Sequence, residues 1–438
     1  MAKKIKHFAV TAKNQVSFRG LAVWIVCCLF FLYECLLRTA LGTFQQDLSS
    51  ELHLTPVTFA LLSSTAYNLV CCIMQIPVGI ITARYGLKKT LFLAVLACSL
   101  ANLGFAWAPG FREAITFRAL MGFGASFGFV CLLIAVYDWM PHKNIALFIG
   151  LSQFIGTLGP MLAAGPLSSV AELSAVSWRE VFTCFAIAGF IIAFFVLLIV
   201  DRKKCDQRFI TLTRPSSFMH IFVNLFSQKQ IWAIAIFSAS IFFSLEYLSE
   251  NECKNFLIQK GLPPHYSAYM ITVAWIGFAF ACAFFGFVSD TIKRRKTPMM
   301  ICAISALSGM IGILYLPLNA WETAICFLLL GIGASGQSIG FATMAEQCKA
   351  DHLTYGLGFN NAMLIIFSAM NAPLIGILLT KFSQYAPSPL AAYQNAFIIM
   401  LLMIIISVIL SGWIVQETFC KSTQQSTLLT RPTSPNNL

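Results

Sequence analysis

Residues 79–89 read GIITARYGLKK and residues 286–296 read GFVSDTIKRRK: two basic loops, each opening on a glycine at the end of an apolar run, at an offset of 207 (286 − 79). Working outward from them, further signals repeat in the same order. Gly122 in GFGAS matches Gly331 in GIGAS at an offset of 209 (331 − 122), and Trp178 in WREVF matches Tyr393 in YQNAF at 215 (393 − 178). Three matches in one order point to a duplicated unit.

The background to these loops is apolar. Of 438 residues, 58% are hydrophobic and 11% charged, and the mean hydropathy is +0.79, against roughly 25% charged residues in soluble chains. A soluble fold is excluded. Apolar runs of about 20 residues recur, the length at which a helix rising about 1.5 Å per residue crosses a hydrocarbon core of about 30 Å. They give twelve spans, near 21–43, 57–82, 90–108, 112–139, 144–168, 179–200, 230–250, 266–289, 298–316, 321–345, 354–380 and 391–416. The expected fold class is an all-α membrane protein: an N-terminal tail at 1–20, a six-helix bundle at 21–200, a central loop at 201–229, a second bundle at 230–416 and a disordered polar tail at 417–438.

With the N-terminus in the cytoplasm, most of the 29 Lys and Arg fall on that side: in the first tail, in 83–89, at Lys143, in 201–229, in 293–296 and at Lys349. The positive-inside rule fixes this orientation, and an even number of spans returns the C-terminus to the cytoplasm. The formal charge of +12 is therefore topology, and no nucleic-acid partner is expected. The first apolar stretch lacks a small-residue cleavage site and reads as a retained span. The 15 cysteines have neither zinc-ligand spacing nor a disulfide framework, so they read as packing residues and no metal site is expected.

On these residues the chain resembles the major facilitator superfamily in its prokaryotic form with 12 transmembrane helices. The family's loop signature, Gly-x-x-x-Asp-Arg-x-Gly-x-Arg/Lys, is met by Gly79, Arg84, Gly86, Lys88 and Lys89, with Ala83 in place of the acid. The second copy keeps Gly286, Asp290, Arg294 and Arg295, with Lys293 where a glycine is common. The fourth-helix signature is complete as Arg118, Gly122, Gly124 and Ala125. The resemblance implies two pseudo-symmetric bundles rocking about a central site. It implies a transporter that needs no cofactor and is driven by the proton gradient, a monomer surrounded by lipid in the bacterial inner membrane. Arg84 with Asp138, and Asp290, Arg294 or Arg295 with Glu346, would then be paired cytoplasmic latches, the first weakened by Ala83. As solvated loop charges, the same residues would set orientation only.

Ionisable groups at bilayer depth cost roughly 2.5–3.5 kcal/mol each, so those that persist face a cavity or a partner. Glu34 and Arg38 share one face of the first span, and Glu246 and Glu250 have the same spacing on the seventh, which aligns the two pairs at an offset of 212 (246 − 34). Arg118 enters from the opposite side to a similar depth. Two readings stand: a network in which a carboxylate carries the coupling proton while an Arg takes an anionic group, or an outer gate in which Arg38 pairs with Glu246 or Glu250. Tyr33, Tyr67, Asn68, Gln75, Gln153, Tyr247, Trp275, Gln337, Asn360, Asn361 and Asn371 add polar groups to apolar spans, either for a polar solute or for helix packing.

No HExxH, phosphate loop or Gly-x-Ser-x-Gly occurs, so an enzyme is not expected. The expected function is proton-coupled movement of a small polar or anionic solute, an amino acid or other carboxylate-bearing nutrient. The alternatives are transport of a siderophore or other organic anion, drug/proton antiport, and a transporter-like sensor. The antiporter signature Gly-Pro-x-x-Gly-Gly is half met, Ala163 and Ala164 following Gly159 and Pro160.

Overall fold

Polar residues set where several helices begin. Ser17 Oγ accepts from the Gly20 N–H at 3.0 Å, and Thr55, Ser177 and Asn319 form capping boxes with Thr58, Glu180 and Glu322. Each satisfies amides that a first helical turn leaves without partners. The computed structural model describes residues 16–141, 145–174, 176–200, 227–317, 319–348 and 353–420. The N-terminal tail before residue 16, the central loop through 226, Lys143, Lys349 and the tail from 421 lie outside the described residues.

Among the described residues there are helices and no strands. Twelve helices among the described residues are long and apolar enough to cross a membrane: α1 (Phe18–Thr43), α2 (Pro56–Gln75), α3 (Leu87–Ala106), α4 (Phe111–Trp139), α5 (Leu147–Ser174), α6 (Trp178–Ile199), α7 (Lys229–Glu250), α8 (Pro264–Ile292), α9 (Lys296–Tyr315), α10 (Ala320–Gln347), α11 (Tyr355–Tyr385) and α12 (Pro389–Ile414). Their order and number are those expected from the apolar runs. The apolar window of α2 stops at Gln75, although its helix continues to Tyr85, and α5 and α11 run on to residues 174 and 385.

The duplicated GFGAS and GIGAS motifs break α4 and α10 at matching places. Helix Phe111–Ala125 is followed by Gly128–Trp139, and Ala320–Ala334 by Gly336–Gln347. At each break a serine hydroxyl turns back onto its own helix: Ser126 donates to the Phe123 carbonyl and Ser335 to the Ile332 carbonyl, both at 2.6 Å. Such back-bonding competes with the helical ladder and bends it. In α2 the turn Leu61–Thr65 is a π turn, after which the helix continues as Ala66–Tyr85.

Gly86 ends that helix at φ +81°, a left-handed conformation that suits glycine. Its counterpart in the second loop, Lys293, sits at φ +52°, a conformation costing a residue with a Cβ about 1–2 kcal/mol.

The chain packs as two compact units, the first drawn from Met1–Thr211, Tyr247–Trp275 and Ser368–Ala396, the second from Leu212–Glu246, Ile276–Phe367 and Phe397–Leu438. The first unit thus joins the first six spans to the ends of α7 and α11 and the starts of α8 and α12. Glycines make these contacts close: a Cβ on Gly122 would strike the Tyr67 carbonyl, and one on Gly42 the Ser249 carbonyl. Gly122→Val should therefore cost about 1–3 kcal/mol through overpacking, read as a lower Tm in detergent. Lys293→Gly should raise stability by about 0.5–1 kcal/mol by relieving the left-handed strain; an unchanged or lower Tm would contradict that account.

Candidate functional site

Arg38 and Glu250 meet in the first unit. Arg38 Nε lies 3.2 Å from Glu250 Oε1, with 22% of the Arg38 side chain exposed and 1% of the Glu250 side chain. The π turn of α2 completes the contact: Ser64 Oγ donates to Glu250 Oε2 at 2.7 Å, Ser63 Oγ donates to Asn251 Oδ1 at 2.6 Å, and Asn251 Nδ2 donates to Ser64 Oγ at 2.9 Å. One turn along, Asn68 Nδ2 donates to Ser368 Oγ at 3.2 Å and Thr65 Oγ1 to the Ala369 carbonyl at 2.8 Å. Helices from the two halves of the repeat are thereby stitched together at one end of this unit.

Glu34 lies one turn before Arg38 and is 8% exposed. Its carboxylate lies against Gly128, where a Cβ would strike it, so it sits at the N-terminus of the second segment of α4, where the helix dipole favours negative charge. Glu34 Oε2 is buried and has no hydrogen-bond partner. In the second unit the matching Gly336 faces Cys302 of α9 and Ile241 and Phe237 of α7 instead. α1 ends at Thr43 and α7 at Glu250, so the helix ends lie 207 apart (250 − 43), beside the offset of 212 at which the two charged pairs align.

Arg118 is fully buried. It donates to the carbonyls of Leu37 at 2.9 Å, Arg38 at 3.0 Å and Ser63 at 2.9 Å, and its guanidinium stands 4.5 Å from the centre of the Tyr67 ring. Several polar candidates make packing contacts. Tyr33 donates to the Phe185 carbonyl at 2.9 Å and accepts from Asn102; Tyr67 donates to the Glu34 carbonyl; and Trp275 Nε1 donates to Ser249 Oγ. Tyr247 is buried, and its carbonyl accepts from Asn251. Gln153 is exposed and Gln75 half-buried.

Glu246, Gln337, Asn360 and Asn361 belong to the second unit. Glu246 and Asn360 are buried there, and neither side-chain polar atom of Asn360 has a hydrogen-bond partner.

The second basic loop carries a complete charge cluster. Arg295 lies 2.7 Å from Asp290 and 2.7 Å from Glu346. Arg294 is exposed, and its carbonyl accepts from Ser289. In the first loop Arg84 is exposed with its guanidinium 5.6 Å from the Tyr85 ring centre, and Asp138 is half-buried. Gly79 and Gly286 have open space where a Cβ would stand.

The sequence reading missed Glu417. Its carboxylate accepts the Arg295 N–H at 2.7 Å and the Lys296 N–H at 3.0 Å, capping the start of α9, while Thr418 donates to Glu346. An acid just past the last span was its only signal. Among the described residues no cluster of His, Cys, Asp and Glu is arranged to hold a metal ion.

A twelve-helix chain with matching breaks in α4 and α10 and a charge cluster at the second basic loop also matches the family model of the Major Facilitator Superfamily over residues 26–311 and 254–433. The chain belongs to that superfamily. This member is 25% identical over 366 residues to the hexuronate transporter of Bacillus subtilis, a match covering 79% of this chain and 83% of that protein. It is 26% identical over 267 residues to a probable 4-methylmuconolactone transporter of Cupriavidus pinatubonensis, covering 59% and 60%. Among solved folds, a D-xylose–proton symporter superposes with a TM-score of 0.73 at 14% identity, covering 92% of this chain and 99% of that one. A bacterial homologue of the lysosomal transporter Spinster gives 0.70 at 16% identity, over 96% and 100%. The superfamily member is thus a multi-pass secondary transporter, and neither its family nor its fold is enzymatic.

Outside the spans, Glu252 is 4% exposed, with Tyr393 donating to it at 3.0 Å and Asn255 at 3.2 Å. Burial holds its carboxyl above the ordinary range, against the lowering by hydrogen bonds from Gln45, Asn255 and Tyr393. A raised carboxyl favours the protonated fold, so its stabilisation is complete below the ordinary carboxylate pKa and is lost as pH rises through the raised value. Glu252→Gln should remove that loss. The variant's Tm should exceed the wild type's at pH 8 and converge with it at pH 4; a constant difference would refute the assignment.

Proposed function

We propose that this transporter imports a small organic anion bearing a carboxylate, with protons, by alternating access. The observation that carries the proposal is the single turn of α1 that places a buried carboxylate oxygen without a hydrogen bond, Glu34 Oε2, beside a partly exposed Arg38 already paired to Glu250. A charged carboxylate in that position depends on Arg38 for compensation. When a solute carboxylate takes the guanidinium, the cheapest response of Glu34 is to bind a proton, so anion and proton arrive together. Bidentate recognition of a planar carboxylate suits Arg.

The names of the relatives support the solute class, since a hexuronate carries a carboxylate. On this reading Arg38, Glu250, Ser64 and Asn251 form the outer gate. Asp290, Arg295, Glu346 and Glu417 form the inner one, the Arg84 side being the weaker. The distribution of basic loops supports two cytoplasmic termini, and the bacterial relatives support the cytoplasmic membrane.

Purified protein in proteoliposomes tests this with labelled D-glucuronate and an imposed inward proton gradient. Accumulation should follow the gradient and collapse with a protonophore; flux indifferent to the gradient would sink the coupling. Glu34→Gln should abolish accumulation while retaining counterflow exchange. Arg38→Ala should lower uptake by about tenfold or more, the loss of a charged hydrogen-bond partner. Normal uptake in either variant removes that residue from the mechanism.

A further inference from the structure

We infer that Arg118 is a positioning residue for the gate formed by Glu250 and Asn251, acting through backbone carbonyls and meeting neither solute nor proton. The inference rests on the reading of that contact as a gate. Three groups that the first half contributes to Glu250 and Asn251 hang on two short stretches of backbone. Arg38 pairs with Glu250, Ser64 donates to Glu250, and Ser63 donates to Asn251. Arg118 holds both stretches: Nη1 on the Leu37 carbonyl, and Nη2 on the carbonyls of Arg38 and Ser63 together.

The arrangement explains the π turn. A wide turn leaves carbonyls splayed from the ladder, and in an apolar span they need donors. One planar guanidinium with five N–H groups bridges α1 and α2 there, a geometry that a compact ammonium does not reproduce. Tyr67 closes the other side, its ring against the guanidinium and its hydroxyl on the Glu34 carbonyl. Among the described residues no carboxylate is hydrogen-bonded to Arg118, and at 0% exposure it offers no face to a solute.

Cys253, 1% exposed and two residues beyond Asn251, reports on this end of the unit without any knowledge of the solute. The experiment is the rate of maleimide labelling of Cys253 in the purified full chain, read by mass spectrometry of its peptide. Arg38→Ala and Asn251→Ala should each raise the rate about fivefold to tenfold, the effect of losing roughly 1–1.4 kcal/mol of closure. Arg118→Lys, which keeps the charge and loses the fork, should raise it as much. Adding Asn251→Ala to Arg118→Lys should raise it little further, because both act on one contact.

If Arg118→Lys is not recovered folded, Arg118→Gln, which keeps two donors without the charge, replaces it with the same expected rise. Labelling at the wild-type rate in Arg118→Lys, or effects that multiply in the double variant, overturns the positioning role. Unchanged labelling in Arg38→Ala and Asn251→Ala overturns the gate reading instead, and the inference falls with it.

Discussion

Inside a hydrocarbon core no water is at hand for a peptide group that leaves the helical ladder, so every interruption of a span must bring its own partner. The irregular points of this transporter are organised by that constraint. Where α4 breaks, the Glu34 carboxylate packs against Gly128 at the start of the next helical segment; where α2 widens into a π turn, the Ser63 carbonyl is taken by Arg118. Charges that would be costly at this depth are retained because they complete backbone that would be costly without them. The second copy of the repeat meets the same demand differently. Its break at Ser335 keeps the hydroxyl bond to Ile332 and faces Cys302, Ile241 and Phe237 where the first copy has the Glu34 carboxylate.

The architecture was legible in the sequence because it follows from solvent. Span number, span order and the duplicated unit are written in apolar length and in short loop motifs, which depend little on tertiary detail. The Arg38–Glu250 pair was within reach for the same reason, since few charges at depth have few possible partners. What the sequence withheld were contacts to main chain. Arg118 stood out as a charge at the depth of Glu34, but residue types alone do not reveal the carbonyls of Leu37, Arg38 and Ser63 that it meets. Tyr33 stood between solute contact and helix packing, and its hydroxyl meets the Phe185 carbonyl and Asn102.

The cap on α9 adds a dimension of time. The amides of Arg295 and Lys296 wait for a carboxylate that lies 122 and 121 residues further along the chain. At a synthesis rate of about 5–20 residues per second, α9 therefore exists for roughly 6–24 seconds before Glu417 has been made. Until then the amides of Arg295 and Lys296 lack this cap, so the start of α9 is fastened only once residue 417 has joined the chain.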